Sequence, residues 1–458
     1  MKRLTSLALL LVLALTTARV PAATASNSHT FAILDAEEIS ISYQHLLSEY
    51  YKKVDTQAVL NNAHDNLVAY LKREGVSAPR LPVLHASDDI AQNIRSLDHE
   101  VEVAASQYRS PKFGARDLTY ATISGLLGGV RDRYTVFLSP KDYADLNGSL
   151  DGTKFSGTGI VIESDETTKM ITVSNIVPDG PADKAGIQQD DVISTIDGKT
   201  TKGLTILQAS SVLRGKEGTT VTLQIVRNGA LLGAPVSIVR AQIRQLSVYS
   251  KMLPNKIGYV ALTVFGRDTA AELTTALDRL QAQGARGFVM DLRENGGGYL
   301  DAAVGVSSKF IPSGPIVSVE SRQSQVTTLE AENTAINPVP LAVLVNGHTA
   351  SASEITSGAI QDSGVGTIIG TKTFGKGVVQ TIFPLPDGSA VKITTARYLT
   401  PHNRDINTVG IVPDITADEN KNARFGTPAK DTQLQTALTF LQNKIVQLGG
   451  AAPAATPQ

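Results

Sequence analysis

Residues 257–413 alternate between predicted strands and helices, and this alternation is the feature that most restricts the fold. Runs rich in Val, Ile and Leu are followed by helical patterns or by glycine-rich turns. Parallel strands need crossover connections, usually helices, so the order predicts an α/β core. The predicted strands are 257–264, 287–292, 317–320, 341–345, 378–383 and 391–398, and the predicted helices are 269–283, 300–310 and 352–361.

Two further segments precede this core. Residues 36–97 and 118–130 carry apolar residues at helical spacing, whereas residues 155–243 consist of short β-branched runs bounded by Gly and Pro. We therefore expect a multidomain α/β protein, divided as follows: a signal peptide at 1–25, an N-terminal helical region at 26–150, a β-rich domain at 151–243, an α/β core at 244–425, and a C-terminal helix with a disordered tail at 426–458.

The first 25 residues have the pattern of a secretory signal peptide. Lys2 and Arg3 precede an apolar run from Leu4 to Leu15, and residues 23–25, Ala-Thr-Ala, suit a cleavage site. The run is shorter than the roughly 20 apolar residues that cross a bilayer, which disfavours a retained membrane anchor. The expected location is periplasmic or extracellular. Lys and Arg number 42 against 43 Asp and Glu, so no nucleic-acid partner is expected.

Ser351 follows the predicted strand 341–345 and begins a predicted helix, in the stretch Ser-Ala-Ser-Glu. The free N–H groups and partial positive charge of a helix N-terminus favour an oxyanion, so a nucleophile is well placed there. The same residues also form a capping box, with Ser351 as N-cap and Glu354 reaching back. The chain has no cysteine, which excludes a thiolate nucleophile. A nucleophilic serine also needs a general base, so the presence of such a base elsewhere in the chain distinguishes the two interpretations of Ser351.

Two bases come into question. His402 and Asp405 would complete a Ser-His-Asp triad, but no motif surrounds them. Lys376 lies in 370–377, Gly-Thr-Lys-Thr-Phe-Gly-Lys-Gly, which nearly matches a phosphate-binding loop. Gly377 replaces the hydroxyl residue of that loop, and the following residues favour a strand rather than a helix, so nucleotide binding is disfavoured. Lys376 is then either a base or a solvated lysine in a glycine turn.

Two glycine-rich loops could bind ligands through backbone N–H groups. One, at 296–298, follows the strand 287–292 at the edge where α/β sheets bind ligands, and could form an oxyanion hole. The alternative explanation is purely conformational, because a loop whose backbone needs positive φ values would also require glycines at these positions. The other loop begins the β-rich domain and could bind a free carboxylate while a peptide adds as a strand, or could be an ordinary hairpin turn. Its residues are Gly157, Thr158, Gly159 and Ile160.

Taken together, these motifs resemble the carboxyl-terminal processing proteases, or tail-specific proteases, which contain an embedded PDZ domain. The resemblance covers about residues 118–414, and its seven motifs stand in family order: 131–140, 155–159, 176–182, 190–193, 291–293, 349–355 and 374–380. It implies that 151–243 is a PDZ domain and that the 244–425 core is a serine endopeptidase, similar in fold to the Clp protease and crotonase group.

The resemblance also implies roles for single residues. Ser351 becomes the nucleophile, Lys376 the base and Gln380 the residue that orients it, and the separation 376 − 351 = 25 agrees with the family spacing. An ideal strand of four residues spans roughly 13 Å, so contact between Lys376 and Gln380 requires a turn at Gly375 or Gly377. The remaining assignments are an oxyanion hole of Gly297, Gly298 and Ala352, a carboxylate-binding loop of Gly157, Thr158, Gly159 and Ile160, and a gating residue, Arg214.

The implied substrates are proteins or peptides with free, apolar C-termini. Neither a cofactor nor a metal ion is expected, and a homo-oligomer formed through the N-terminal helices is a further expectation. Two alternatives remain open from the sequence: a non-catalytic PDZ scaffold that binds protein C-termini, and a Ser-His-Asp hydrolase.

Overall fold

The computed structural model describes residues 28–450, except 153, 165–169, 178–179, 189–190, 205, 245, 323–324 and 421–429. The predicted signal peptide and the predicted tail at 451–458 lie outside the described residues. Within the described part, no helix combines the length and the apolar character that a membrane span requires.

The N-terminal region consists of four helices packed around one apolar core. Aspartates begin two of them, since Asp55 accepts a hydrogen bond from the N–H of Ala58, and Asp89 from that of Ala91. A short strand and a fifth helix lead out of the region. The elements are α1 (Ser28–Glu49), α2 (Thr56–Arg73), α3 (Ile90–Gln107), α4 (Ala115–Gly128), β1 (Val136–Leu138) and α5 (Pro140–Asp151).

The β-rich domain follows directly. Its main sheet has the strand order β3-β4-β5-β7-β8, with β6 beside β5 and β9 beside β7, and β2 pairs separately with β10. The elements are β2 (Lys154–Gly157), β3 (Ile160–Ser164), β4 (Ile171–Ile176), α6 (Pro181–Lys184), β5 (Val192–Ile196), β6 (Lys199–Thr200), α7 (Ile206–Leu213), β7 (Thr220–Arg227), β8 (Ala230–Leu231), β9 (Val236–Val239) and β10 (Ala241–Arg244).

The α/β core contains the largest share of the strands. Its elements are β11 (Val248–Leu253), β12 (Ile257–Leu262), α8 (Thr269–Ala282), β13 (Gly287–Asp291), α9 (Leu300–Ser307), β14 (Pro315–Ser321), β15 (Val326–Glu330), β16 (Leu341–Val345), α10 (Ala352–Ser363), β17 (Thr367–Gly370), β18 (Val378–Pro384), β19 (Ala390–Leu399), β20 (Ile415–Thr416) and α11 (Thr432–Gly450). The expected mixed α/β, multidomain fold is confirmed, although the sequence did not predict β11, β15, β17 or β20.

The central sheet has the order β11-β12-β13-β16-β17-β20, and its strands from β12 to β20 run parallel. Every residue of β13 and β16 is buried, as in sheets covered by helices on both faces. Helices α8, α9 and α10 pack on one face, and α11 packs on the other. Because β13, β16 and β17 are parallel neighbours, the loops that follow them meet at one edge of the sheet.

A second sheet links the core to the N-terminal helices. Its order is β1-β19-β14-β15, and β18 forms a hairpin with β19. Leu385, Val391 and Ile393 of this hairpin belong to the apolar core of the N-terminal helices. The hydroxyl of Tyr120 also donates a hydrogen bond to Asp387 at the hairpin tip. The N-terminal region and the α/β core are therefore packed as one hydrophobic unit at this hairpin.

A buried ion cluster fixes the loop after β13. The guanidinium of Arg293 donates to Asp291 at 2.6 and 2.9 Å and to Asp431 at 2.7 and 2.8 Å, and all three side chains are buried. The hydroxyl of Tyr259 also donates to Asp291, at 2.6 Å. Asp431 accepts the N–H of Leu434, so the same carboxylate begins α11. The cluster attaches the last helix to the end of a central strand.

We expect Asp431→Ala to lower the free energy of unfolding by about 3 to 5 kcal/mol, since the buried Arg293 guanidinium loses two charge-assisted hydrogen bonds of about 1.5 to 3 kcal/mol each. Thermal and urea unfolding measure the effect. Asp278→Ala, which removes an exposed carboxylate from α8, is the matched control and should stay within about 0.5 kcal/mol of the wild type. Equal stability of the two variants would contradict the structural role of the cluster.

Candidate active site

Ser351 lies between β16 and the first turn of α10. Its backbone has φ 57° and ψ −117°, which is strained for a residue that carries a Cβ atom. The Ser351 side chain makes no capping hydrogen bond, and the N–H of Glu354 donates instead to the Ser351 carbonyl at 2.8 Å. The Glu354 half of the predicted capping box is formed, since the Ser351 N–H donates to the Glu354 carboxylate at 2.9 Å, and the Ser351 residue lies at the N-terminus of α10.

Glu354 is fully buried and connects the Ser351 turn to the lysine loop. Its Oε2 accepts the N–H groups of Ser351 and Lys376, each at 2.9 Å. Its Oε1 accepts the N–H of Gly375 at 2.7 Å and the hydroxyl of Thr373 at 2.5 Å. Four donors satisfy a carboxylate whose burial would otherwise be strongly unfavourable. The sequence indicated Glu354 only as a capping residue.

Lys376 lies on the loop after β17, and its side chain enters the cleft beside Ser351. Its Nζ is 5.0 Å from the centroid of the Tyr134 ring. The pKa of Lys376 is lowered to about 8, chiefly by burial and next by the positive charge of Lys392, against the opposing charges of Glu354 and Asp132. A useful fraction of this lysine is therefore neutral near physiological pH.

Gln380 lies on β18, just after a register shift between Val379 and Gln380 in the pairing with β19. Its side-chain amide donates to the Val378 carbonyl at 3.3 Å. Gly375 has φ +87°, the positive value expected of a turn between the lysine and the strand. Among the described residues, no hydrogen bond joins Gln380 or Ser351 to the Lys376 ammonium.

The glycine loop 296–298 approaches Ser351 closely. A Cβ atom on Gly297, which has φ +98°, would lie 2.8 Å from the backbone nitrogen of Ala352 and from the Cβ of Ser351. The Gly297 N–H donates to Oδ1 of Asn295 at 2.9 Å, so this predicted donor is already engaged within the loop. In the described structure, the N–H groups of Gly298 and Ala352 have no acceptor.

One cleft of about 740 Å³ contains most of the predicted catalytic residues. Helix α5 lines its outer side, and Asp151 at the end of α5 accepts a hydrogen bond from the hydroxyl of Tyr299 at 3.1 Å. His402 does not line this cleft: its side chain is 69% exposed, and its ring nitrogen lies 3.6 Å from Asp362. The predicted catalytic residues that the cleft brings together are Ser351, Ala352, Gly297, Gly298, Lys376 and Gln380.

The predicted carboxylate-binding loop lies apart from this cleft, in the β-rich domain. Gly159 has φ +78°. The Gly159 carbonyl accepts the N–H of Val177 at 2.8 Å, and the Thr158 carbonyl accepts that of Ala182 at 2.9 Å. Strand β3, which begins at Ile160, is at the edge of its sheet. Arg214 is exposed just after α7. The roles of these residues stay predictions.

Three residues near the lysine were not identified from the sequence. Tyr134 faces the Lys376 ammonium, and the hydroxyl of Tyr398 donates to the Lys376 carbonyl at 2.5 Å. Lys392 lines the same cleft. Tyr134 lies in the 131–140 motif, and this position is the sequence feature that could have identified it. The other two are brought to the site only by the pairing of β18 with β19.

Comparisons with known proteins agree with this architecture. The pattern of Peptidase family S41 matches residues 256–417, and that of PDZ domains matches residues 158–238. The carboxyl-terminal-processing protease of Picosynechococcus is 37% identical over 331 residues, which are 71% of this chain and 80% of that protein. The Synechocystis protein of the same name is 35% identical over 333 residues, 71% and 77% of the two chains. The solved photosystem II D1 C-terminal processing protease is 29% identical, with a TM-score of 0.45 over 84% of this chain and 93% of that one.

The two pattern matches coincide with the β-rich domain and the α/β core, and the identity with the curated relatives extends over most of this chain and of theirs. The chain therefore belongs to the carboxyl-terminal processing serine proteases of peptidase family S41, with a PDZ domain ahead of the catalytic core.

Proposed function

We propose that this protein is a serine endopeptidase that uses a Ser351–Lys376 dyad. One observation carries the proposal: a partly buried lysine, with a pKa lowered to about 8, lies in the same cleft as a serine held in a strained conformation at a helix N-terminus. Neutral lysine is a general base, and family membership makes peptide or protein substrates the expected ones. The exposed His402 gives the Ser-His-Asp alternative no support.

In the proposed reaction, neutral Lys376 takes the proton of the Ser351 hydroxyl as its oxygen attacks the scissile carbonyl carbon. The tetrahedral intermediate collapses when the lysine gives this proton to the leaving amine, and the C–N bond breaks. A water molecule, deprotonated by the same lysine, then hydrolyses the ester on Ser351. Gln380 acts as a positioning residue for the lysine, from its place on the same wall of the cleft.

For the oxyanion hole, we propose the N–H groups of Gly298 and Ala352. Both belong to segments that flank Ser351, and neither has an acceptor in the described structure. Gly297, a third predicted donor, gives its N–H to Asn295, so we assign it the role of letting the loop approach the serine. Donors fixed in advance stabilise the developing charge without reorganisation.

We further propose that the PDZ domain captures free, apolar C-termini. The Thr158 and Gly159 carbonyls are engaged, whereas their N–H groups have no acceptor among the described residues and could bind a carboxylate. The edge position of β3 would let the peptide add as a strand. Helix α5 runs from the cleft wall to the first PDZ strand, so it offers a route by which the PDZ domain, with Arg214, could gate the cleft.

Location and assembly are also proposals. The signal-peptide pattern of residues 1–25 supports export across the inner membrane to the periplasm or the exterior. The N-terminal helices remain the proposed surface for a homo-oligomer.

Ser351→Ala and Lys376→Ala should each abolish hydrolysis of an unfolded protein substrate, because one removes the nucleophile and the other the base. Lys376→Arg should be equally inactive, since a guanidinium does not deprotonate at accessible pH. Product formation followed by mass spectrometry measures the loss. Ser353→Ala is the matched control: its hydroxyl donates to the Asn295 carbonyl, outside the dyad, so turnover should persist. Retained turnover in Lys376→Arg would overturn the dyad, because a group other than Lys376 would then be the base.

Gly297→Ala should lower kcat by roughly 100-fold, the scale of losing an oxyanion donor, because the new Cβ atom would push the loop away from Ala352. Gly296→Ala is the matched control. No atom lies within 4 Å of a Cβ placed there, and Gly296 has no positive φ, so its kcat should stay near the wild-type value. Similar kinetics in both variants, at equal stability, would argue against this oxyanion hole.

Amidating the C-terminus of a peptide substrate should raise KM by about tenfold or more, since charge-assisted hydrogen bonds contribute about 1.5 to 3 kcal/mol. In Gly159→Ala, which strains the loop, the free acid and the amide should be cleaved alike. Gly203→Ala is the control, because it places a side chain at a similar φ of +87° in open space elsewhere in the domain. Equal cleavage of both peptides by the wild type would contradict tail recognition.

A further inference from the structure

Lys392 lies in the middle of β19, between two partner strands. It is directly opposite Ile382 of β18 and Val136 of β1. Directly opposite residues share a face of a sheet, and so do residues two apart on a strand. Lys392 and Gln380 therefore lie on the same face of the hairpin. This face lines the cleft that contains Ser351 and Lys376.

The Lys392 ammonium is a partly buried cation without a direct counterion. Among the described residues, it forms no ion pair and no hydrogen bond. Asp132 is the carboxylate that favours its charge, while burial lowers its pKa. Asp132 is itself engaged, accepting the N–H of Tyr134 at 3.0 Å and the hydroxyl of Thr135 at 2.9 Å. An unpaired cation in a catalytic cleft carries a desolvation cost, which a functional role would explain.

Lys376 is surrounded by charges from three elements. Glu354 faces it from α10, Asp132 and Arg133 from the segment before β1, and Lys392 from β19. Tyr134 and Tyr398 also face it: the Tyr134 ring centroid lies 5.0 Å from the ammonium, and the Tyr398 hydroxyl, whose pKa burial raises well above its usual value, donates to the Lys376 carbonyl. Both oxygens of Glu354 are already occupied by backbone and hydroxyl donors. Among these charges, that of Lys392 has the largest effect on the pKa of Lys376.

We propose that Lys392 keeps Lys376 in its neutral, proton-accepting form through its own positive charge across the cleft. Two ammonium groups in one partly dry cleft repel each other, so one of them loses its proton at a lower pH than an isolated lysine would. The two lysines therefore titrate as a coupled pair. Lys392 touches no reacting atom and acts through Lys376. This inference rests on the proposed dyad and adds to it the group that tunes the base.

The test compares pH profiles of kcat/KM from pH 6 to 10 for the wild type, Lys392→Met and Lys392→Arg, with one peptide substrate. The wild type should lose activity below about pH 8, where Lys376 becomes protonated. Lys392→Met removes the neighbouring charge, so the acid limb should move up by about one pH unit, which is about tenfold lower activity at pH 7. The plateau at high pH should be unchanged, and Lys392→Arg should follow the wild type.

Lys372→Met is the matched control, because Lys372 is an exposed lysine on the same loop as Lys376. Its profile should superimpose on that of the wild type. A Lys392→Met profile that also superimposes would overturn the inference. So would a rise in KM with an unmoved acid limb, because Lys392 would then bind the substrate carboxylate instead of tuning the base.

A second measurement does not depend on turnover. In Ser351→Ala protein, the rate at which a dilute acylating reagent modifies Lys376 is followed against pH by peptide mass spectrometry. Lys392→Met should shift this titration upward, and an unshifted titration would overturn the inference even if Lys392→Met were inactive. Failure of the dyad has a different signature: Lys376→Ala would retain activity, whatever the labelling shows.

Discussion

The candidate site depends on one buried carboxylate, that of Glu354, which binds two separate segments of backbone at once. Its oxygens receive N–H groups from the Ser351 turn on one side and from the lysine loop on the other. In a dry interior, such charge-assisted bonds are strong, and leaving the donors unpaired would be costly. The same contacts stabilise the strained Ser351 backbone, whose cost is on the order of 1 to 3 kcal/mol. The serine and the lysine are thus positioned relative to each other without touching.

The central sheet explains why these segments meet at all. Strands β13, β16 and β17 are parallel neighbours, so the glycine loop, the Ser351 turn and the lysine loop leave the sheet at the same edge. The Arg293 cluster then fixes the first of these loops against α11. Asn295 fixes it against its neighbours by donating to Leu262 and accepting from Ala350. The buried polar side chains of Arg293 and Asn295, which precede the glycines, therefore hold the glycine loop in place.

Much of this arrangement follows from local sequence patterns. The apolar run 341–345 and the helix beginning at Ala352 are observed where the sequence predicts them, because strand and helix periodicities are local signals. The family-like motifs also indicate which loops belong to the site. The surroundings of Lys376 could not be predicted in this way, since Tyr134 and Lys392 reach it through the register of β1 and β18 on β19. That register depends on long-range packing, which periodicity does not encode.

The pairing of β1 with β19 joins residues far apart in the chain, with Val136 opposite Lys392, a separation of 392 − 136 = 256 residues. Contacts at such separations form slowly, since a long loop must close before they contribute. Ser351 and helix α10 pack mainly against strands and loops nearby in sequence, whereas the surroundings of Lys376 require both β1 and β19. A growing chain therefore contains Ser351 before it contains the complete surroundings of Lys376. The cleft around Lys376 is therefore completed only after β19 has been synthesised and has paired with β1.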